Sequence, residues 1–586
     1  MFKLFKKFRK REWFYILFSL IFIVGQVWLD LKMPDYMAEI TVLVQTEGSL
    51  MKDILINGGY MLLCALGSLV LALCVGYIIA NLSASFSFNI RKRVFNKVED
   101  LSLNEVKNFS TSSLITRTTN DITQVEMFIG IGLQMLIKAP ITAVWAVTKI
   151  LNKNLEWSIV TGIAVAVLLT MVAILTIIVV PKFKIVQKLI DKINGVTREN
   201  LNGIRVIRAF NAEDYQQDKF EDVNDKLTKQ QLFNQKTFAI MSPVMYLIMN
   251  SLNIVIYFVG ANLIDKAYMA EKLQLFGDMV VFSSYSMQVI MSFLMLAAIF
   301  MILPRASVSA NRINEVLDKE TSVKDGNSNG ITNEIGTVEF KNVSFKYPDA
   351  EEYVLENISF KANKGETIAF IGSTGSGKST LINLVPRFYD ATKGEVLIDG
   401  INVKDYKLEK LYNKIGYVSQ KAVIFSGTVK SNVLFGKTDN KKRSVEDSVK
   451  IAQASDFVLK MDDKYDSHIA QAGTNISGGQ KQRLSIARAI ARNPEIYIFD
   501  DSFSALDYKT DYELRKELKK YTKDATSLIV AQRIGTIMHA DKIIVLDNGK
   551  CVGIGTHKEL LDKCEVYKQI ALSQLTMEEL SWREER

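Results

Sequence analysis

Gly372-Ser373-Thr374-Gly375-Ser376-Gly377-Lys378-Ser379-Thr380 fits the pattern G-x-x-x-x-G-K-[ST]. An apolar run at 367–371 precedes it, and the run at 381–385 can open a helix behind it. That context predicts a strand, a glycine-rich turn and a helix. Glycines let the backbone approach phosphate groups, and the amides at the helix start point at the anion. Lys378 brings a positive charge to the β- and γ-phosphates, and the Ser379 hydroxyl suits Mg²⁺. The expected ligands are therefore ATP and Mg²⁺.

Farther along, 496–499 reads as a buried strand that ends in Asp500. A carboxylate at such a strand end can hold Mg²⁺ through water. Between the two lies Ile476-Ser477-Gly478-Gly479-Gln480, followed by KQRLSIARAI. A serine hydroxyl and glycine amides at a helix N-terminus can also take a γ-phosphate.

With this third motif the sequence resembles the ATP-binding cassette (ABC) ATPases, of which the Ser477–Gln480 segment looks like the signature. The resemblance implies that this signature closes over ATP held by a second subunit, head to tail. It also implies roles for other positions. Tyr347 stands where an aromatic stacks on adenine. Gln420, in YVSQ, stands at the Q-loop, a further candidate Mg²⁺ ligand. Ser504-Ala505-Leu506-Asp507 matches the D-loop.

Three positions depart from that family's pattern. After Asp500 the family usually has glutamate as general base; this chain has Asp501. The shorter side chain sets the carboxylate back by about an ångström, against a required reach of about 2.6–3.2 Å. Where the family has a histidine after the strand at 527–531, this chain has Gln532, which donates a hydrogen bond but carries no charge. Ala470-Gln471-Ala472-Gly473 replaces a more acidic segment. His539 is seven residues past Gln532, and His468 and His557 read as ordinary surface residues. Every ATP-binding element is kept while two γ-phosphate positions differ. This implies a degenerate site that binds ATP and hydrolyses it poorly, paired with a different chain whose site is complete. A homodimer with slow turnover from Asp501 is the alternative.

Upstream, the pattern changes. The chain has 586 residues, 48% hydrophobic and 23% charged, but long apolar runs are confined to 1–310. Crossing about 30 Å of hydrocarbon takes about 20 apolar residues. Six stretches qualify: 13–33, 56–82, 127–151, 158–180, 239–264 and 279–303. Asp30, Lys32 and Lys149 are expected near span ends; Lys138 is the charge nearest the middle of one. Lys and Arg number six in 1–12, six in 83–126 and eleven in 181–238, against one, one and two in 34–55, 152–157 and 265–278. That alternation predicts cytoplasmic termini. The basic start reads as an amphipathic helix on the membrane face, not a signal peptide.

The two cytoplasmic connections are too long to lack structure, so the spans are expected to continue as helices below the membrane. Their tips, about 108–125 and 203–215, resemble the coupling helices of type IV ABC exporters. Met287, Met291 and Met295 share one helical face, as do Met241, Met245 and Met249. Methionine stripes suit either a cavity for varied apolar ligands or ordinary packing.

The expected architecture is thus a polytopic α-helical membrane domain, 1–317, with six transmembrane helices and long cytosolic extensions. A linker, 318–336, joins it to an α/β P-loop ABC nucleotide-binding domain, 337–575, with a tail at 576–586. The chain resembles the degenerate half of bacterial heterodimeric multidrug exporters. This implies a multi-pass protein of a bacterial plasma membrane, a second half-transporter as partner and a small-molecule substrate. Lipid or peptide export, and a non-transporting ATP-gated regulator, are the rival functions. The net charge of +9 follows from cytoplasmic Lys and Arg; no basic stripe interleaved with aromatics points to nucleic acid.

Overall fold

The structure, a computed structural model, describes residues 2–46, 48–151, 155–436, 443–576 and 580. The predicted tail therefore lies outside the described residues except for Thr576 and Leu580. The chain divides into two compact units. One comprises Met1–Glu99 and Ser110–Lys319, the other Asp100–Phe109 and Glu320–Arg586.

The first unit is helical. A short helix α1 (Phe2–Phe5) precedes α2 (Lys10–Gln45) and α3 (Met51–Asp100). Then come α4 (Leu103–Asn108, assigned to the other unit), α5 (Thr111–Thr118), α6 (Asn120–Met127) and, after a π turn, α7 (Leu133–Leu151). Three long helices follow: α8 (Leu155–Ala209), α9 (Glu213–Lys266) and α10 (Met269–Leu317). Among the described residues six helical stretches are long and apolar enough to cross a membrane. With 55 residues, α8 is about 80 Å long at about 1.5 Å per residue. More than half of it must lie outside a hydrocarbon layer about 30 Å thick. Apolar side chains such as Leu62, Leu66, Leu69 and Leu73 on α3 face outward, as expected where lipid or another chain covers them. Inside, Trp157 packs against Phe282 and donates its indole N–H to the Ile256 carbonyl at 3.1 Å.

Two expectations change here, and one helix runs farther than its predicted span. The segment 108–125 forms two short helices, α5 and α6, rather than one tip. The segment 203–215 is no separate helix: α8 runs to Ala209 and α9 starts at Glu213, so it is a tight junction. And α2 continues twelve residues past the predicted end at Met33, through Pro34. Asp30 and Lys32 therefore lie well inside this helix.

The second unit is built on a six-stranded sheet. Its strands are β3 (Thr367–Gly372), β6 (Ile415–Val418), β9 (Ile496–Asp500), β10 (Thr526–Val530), β11 (Lys542–Asp547) and β12 (Lys550–Gly555), in the order β12-β11-β3-β10-β9-β6. All neighbours are parallel except β11 with β12. The central strands are apolar runs because helices cover both faces. A four-stranded antiparallel sheet holds β1 (Val338–Phe345), β2 (Leu355–Ala362), β4 (Lys393–Ile398) and β5 (Ile401–Asn402), in the order β2-β1-β4-β5. A two-stranded ribbon pairs β7 (Gly427–Thr428) with β8 (His468–Ile469). The segment expected to be a linker is docked: the amides of Gly326 and Ser328 donate to the carbonyls of Tyr406 and Asp405. His557 departs from its surface reading. It is buried, with Nδ1 2.6 Å from the Tyr567 hydroxyl.

Candidate functional site

In an open parallel sheet, ligands bind beyond the carboxyl ends of the strands. Here β3, β10, β9 and β6 are adjacent, so their C-terminal ends deliver four sequence-distant segments to one place. After β3 comes 372–380, after β9 Asp500 and Asp501, after β10 Gln532, and after β6 Gln420.

The phosphate loop closes on a helix, Lys378–Asn383, whose N-cap is Gly377 at φ +94°. A β-carbon there would meet the Leu355 side chain at 2.7 Å and the Val354 carbonyl at 3.0 Å. Both the backbone conformation and the space therefore require glycine. Lys378 Nζ donates to the carbonyls of Gly372 and Ser373 at 2.8 and 2.7 Å, and lies 3.3 Å from Ser376 Oγ. The loop curls around this ammonium. Burial pushes the Lys378 amine below its ordinary range, partly offset by Asp501 and Asp500. Ser379 Oγ donates to Asp500 Oδ1 at 2.8 Å, so two of the three predicted Mg²⁺ ligands already face each other. Burial raises the Asp500 carboxyl, and the Asp501 charge adds to this against the Ser379 hydrogen bond.

Asp501 sits just past β9 at φ +47°, an uncommon conformation for a residue with a side chain. Its amide donates to the Val530 carbonyl at 3.0 Å, fixing it beside β10. The Gln532 side-chain amide donates to Asp501 Oδ2 at 2.8 Å, and that of Gln420 reaches the same oxygen at 3.3 Å. The two departures from the family pattern are thus direct partners. Burial raises the Asp501 carboxyl while these hydrogen bonds oppose the rise.

The position expected to take adenine is aromatic on several sides. Tyr347 follows β1, its hydroxyl 3.1 Å from Thr380 Oγ1. Its ring meets Tyr389 edge-on at 5.4 Å. Lys107, on α4, holds its ammonium 5.3 Å from the Tyr347 centroid and 5.4 Å from that of Tyr389. Lys107 went unnoticed in the sequence because a lone lysine in a helical connection carries no signal.

Ser477 is the N-cap of a fifteen-residue helix, Gly478–Arg492. Its hydroxyl accepts from the Gln480 amide at 3.3 Å, and Gln480 Oε1 accepts from the Ser477 amide at 2.9 Å. This capping box leaves the glycine amides pointing out of the helix end. A β-carbon on Gly479 would lie 3.3 Å from the Ala505 carbonyl, so signature and D-loop touch. Asp507 caps the next helix, Tyr508–Tyr521. Among the described residues no hydrogen bond links the Ser477–Gln480 segment to Lys378 or Ser379. Two arginines that the sequence reading passed over brace these parts. The Phe425 and Phe435 rings stack on each other at 4.4 Å, and Arg488 lies beside the pair, 5.4 and 5.3 Å from their centroids, donating to the carbonyls of Val423 and Asn432. Arg533 donates to the Ser504 and Leu506 carbonyls, tying the segment after β10 to the D-loop.

These parts define an ABC-type nucleotide-binding unit, fused to a membrane unit of six apolar helices. The ABC transporter model matches 355–504 and the ABC transporter transmembrane region model matches 16–293. The chain is 34% identical to the ABC transporter ATP-binding protein YfiB of Bacillus subtilis, over 96% of each protein. It is 33% identical to the putative multidrug export ATP-binding/permease protein YgaD of the same organism, over 82% of this chain and 83% of that one. An ABC transporter ATP-binding protein of Mycobacterium tuberculosis shares 38% identity over 88% of this chain and 87% of its own. In fold the chain matches a bacterial Atm1-family ABC exporter solved with ATP bound, with a TM-score of 0.80, 22% identity and coverage of 96% of this chain and 99% of that one. The chain belongs to the ABC transporter family.

Proposed function

We propose that the chain is one half of an ATP-driven exporter of small amphipathic or hydrophobic compounds, of multidrug type, in a bacterial plasma membrane with both termini cytoplasmic. Its partner is a second, different half-transporter. This chain's own site, with Lys378, Ser379, Asp500 and Gln420 around Mg²⁺·ATP and Tyr347 under the adenine, binds nucleotide and turns it over poorly. Its Ser477–Gln480 segment completes the partner's site. ATP closes the two nucleotide-binding units on each other, and hydrolysis at the partner's site reopens them. The similarity to YgaD, named as a putative multidrug export protein, supports the substrate class, and the alternation of Lys and Arg along the chain supports the orientation.

The observation that carries the degenerate-site reading is the Gln532–Asp501 hydrogen bond of 2.8 Å. A base must be free to take a proton from water, and this carboxylate is occupied by a neutral amide where the family has a histidine. One observation favours the alternative of a slow homodimer. Both amides reach Oδ2, so neither uses Oδ1, through which Asp501 could still hold a water.

The test is ATP hydrolysis by the purified chain in lipid nanodiscs, alone and co-purified with the half-transporter encoded beside it. The degenerate-site reading expects near silence alone, activity in the pair, and little change in the pair on Asp501→Asn. Brisk turnover alone, abolished by Asp501→Asn, would establish the homodimer instead.

A further inference from the structure

Ionisable side chains inside a membrane bundle are costly to keep, and they mark ligand paths when they are not simply latches. Among the described residues of the membrane unit, two tiers of them centre on Asp35 and Asp30 of α2. At the upper tier Asp35 is saturated. Lys149 on α7 lies 2.8 Å from Oδ2, the Tyr285 hydroxyl on α10 donates to Oδ1 at 2.5 Å, and Lys32 stands 3.9 Å away. This is a latch between three helices. The lower tier differs. Asp30 accepts from Ser68 Oγ on α3 at 2.5 Å, but its ion pair with Lys138 on α7 is loose, at 3.4 Å. The two side chains remain 25% and 21% exposed. One turn below Asp30, on the same face of α2, Gln26 is 8% exposed and its Oε1 has no hydrogen-bond partner among the described residues. Gln288 on α10 closes the tier by donating to the Asp30 carbonyl at 3.4 Å.

We propose that the lower tier is a substrate subsite for a zwitterionic amphiphile, one that carries a protonated amine beside an anionic group. The ammonium takes Asp30 and the orphaned Gln26 Oε1, and the anion takes Lys138. The argument is electrostatic. Asp30 and Lys138 are equal and opposite. A cationic or an anionic ligand would leave one buried charge without a partner, which is strongly unfavourable in a low dielectric. A dipolar ligand inserted into the loose pair leaves every charge matched, and it also satisfies the unpaired Gln26 oxygen. Met287 and Met291 flank Gln288 on α10 and offer an adaptable apolar surface to the rest of the ligand. The inference rests on the exporter reading and gives it a substrate chemistry.

Three probes share one fluorophore and chain: Nε-dansyl-lysine (zwitterion), dansylcadaverine (the same molecule without the carboxylate, a cation) and Nα-acetyl-Nε-dansyl-lysine (an anion). Binding to the full transporter in nanodiscs is read by dansyl fluorescence. The expected result is about ten-fold tighter binding of the zwitterion than of either other probe, the size of one charged hydrogen-bonded contact. Asp30→Asn removes the advantage over the anion, Lys138→Gln removes the advantage over the cation, and Gln26→Leu weakens the zwitterion several-fold. Equal binding of all three probes overturns the proposal and makes Asp30–Lys138 a second latch. So does a preference for dansylcadaverine that Lys138→Gln strengthens, which marks a cation site. If Asp30→Asn fails to fold, the Lys138 and Gln26 variants still decide. ATP-driven uptake of the same probes into inside-out vesicles separates the two readings. A binding preference without uptake counts against export alone. Uptake without preference counts against the subsite alone.

Discussion

Asp501 and Gln532 show how much depends on two side chains. A glutamate at 501 reaches one methylene farther, and a histidine at 532 can carry charge. If these two are all that the site lacks, the double variant Asp501→Glu, Gln532→His should raise hydrolysis at this site. Recovery of a positioned general base contributes about 10²-fold or more. The clean measurement is single-turnover hydrolysis in the assembled pair, with the partner's site disabled. Asp500 gives a second residue-scale prediction. Burial raises its carboxyl above the ordinary range, with the neighbouring Asp501 adding to the rise. In the empty site the folded form then holds a proton where the unfolded chain has lost it. Stability of the empty nucleotide-binding unit therefore falls as pH rises through the elevated value. Mg²⁺ needs the ionised form. Mg²⁺·ATP affinity should drop as pH is lowered from about 7.5 toward the carboxylate range near 4, starting at a higher pH than an ordinary aspartate would allow. Asp500→Asn should bind Mg²⁺·ATP more weakly, with a flatter pH slope. Identical slopes would separate the effect from Asp500 and leave it to the nucleotide.

At the scale of elements, the parallel order β3-β10-β9-β6 does what no local pattern can, bringing four loops to one edge. The helix Gly478–Arg492 has two tasks at its N-terminus. Ser477 caps it, and in the proposed assembly the same hydroxyl faces the partner's γ-phosphate. Ser477→Ala should cost about 1 kcal/mol of helix stability, read as a small drop in melting temperature. It should also lower ATP turnover of the pair by a much larger factor. A turnover loss no larger than the stability loss would confine Ser477 to its capping role. The strand and loop pattern, the phosphate-loop helix and the signature cap were legible because each is set by residues within a few positions. Tips 108–125 and 203–215 were misjudged in form. Helix ends are decided by capping and packing, and the continuation of α9 from Glu213 leaves too few residues for a separate helix.

For the whole molecule, the decisive feature of the proposed assembly is that the signature of one chain serves the phosphate loop of the other. The chain is expected to be nearly inactive as a single copy, whatever its residues. Cross-linking of a cysteine placed at Gly478 to one placed beside the partner's phosphate loop should require ATP. Cross-linking of equal yield without nucleotide would contradict closure by ATP.

Sequence alone determined the order of parts: six apolar spans, then a nucleotide-binding domain, with Lys378, Ser379, Asp500 and Ser477 identifiable from spacing. These features are local, because hydrophobic length and glycine placement act over a turn or a strand. It also exposed Asp501 and Gln532 as departures, though not as each other's partner. The tertiary structure alone decided that pairing, the seat of Lys107 over Tyr347 and Tyr389, the burial of His557, and the joining of Asp30 to Lys138 across 108 positions. Each depends on which strand ends or helix faces become neighbours, and that is settled by packing of the whole unit rather than by any stretch of chain.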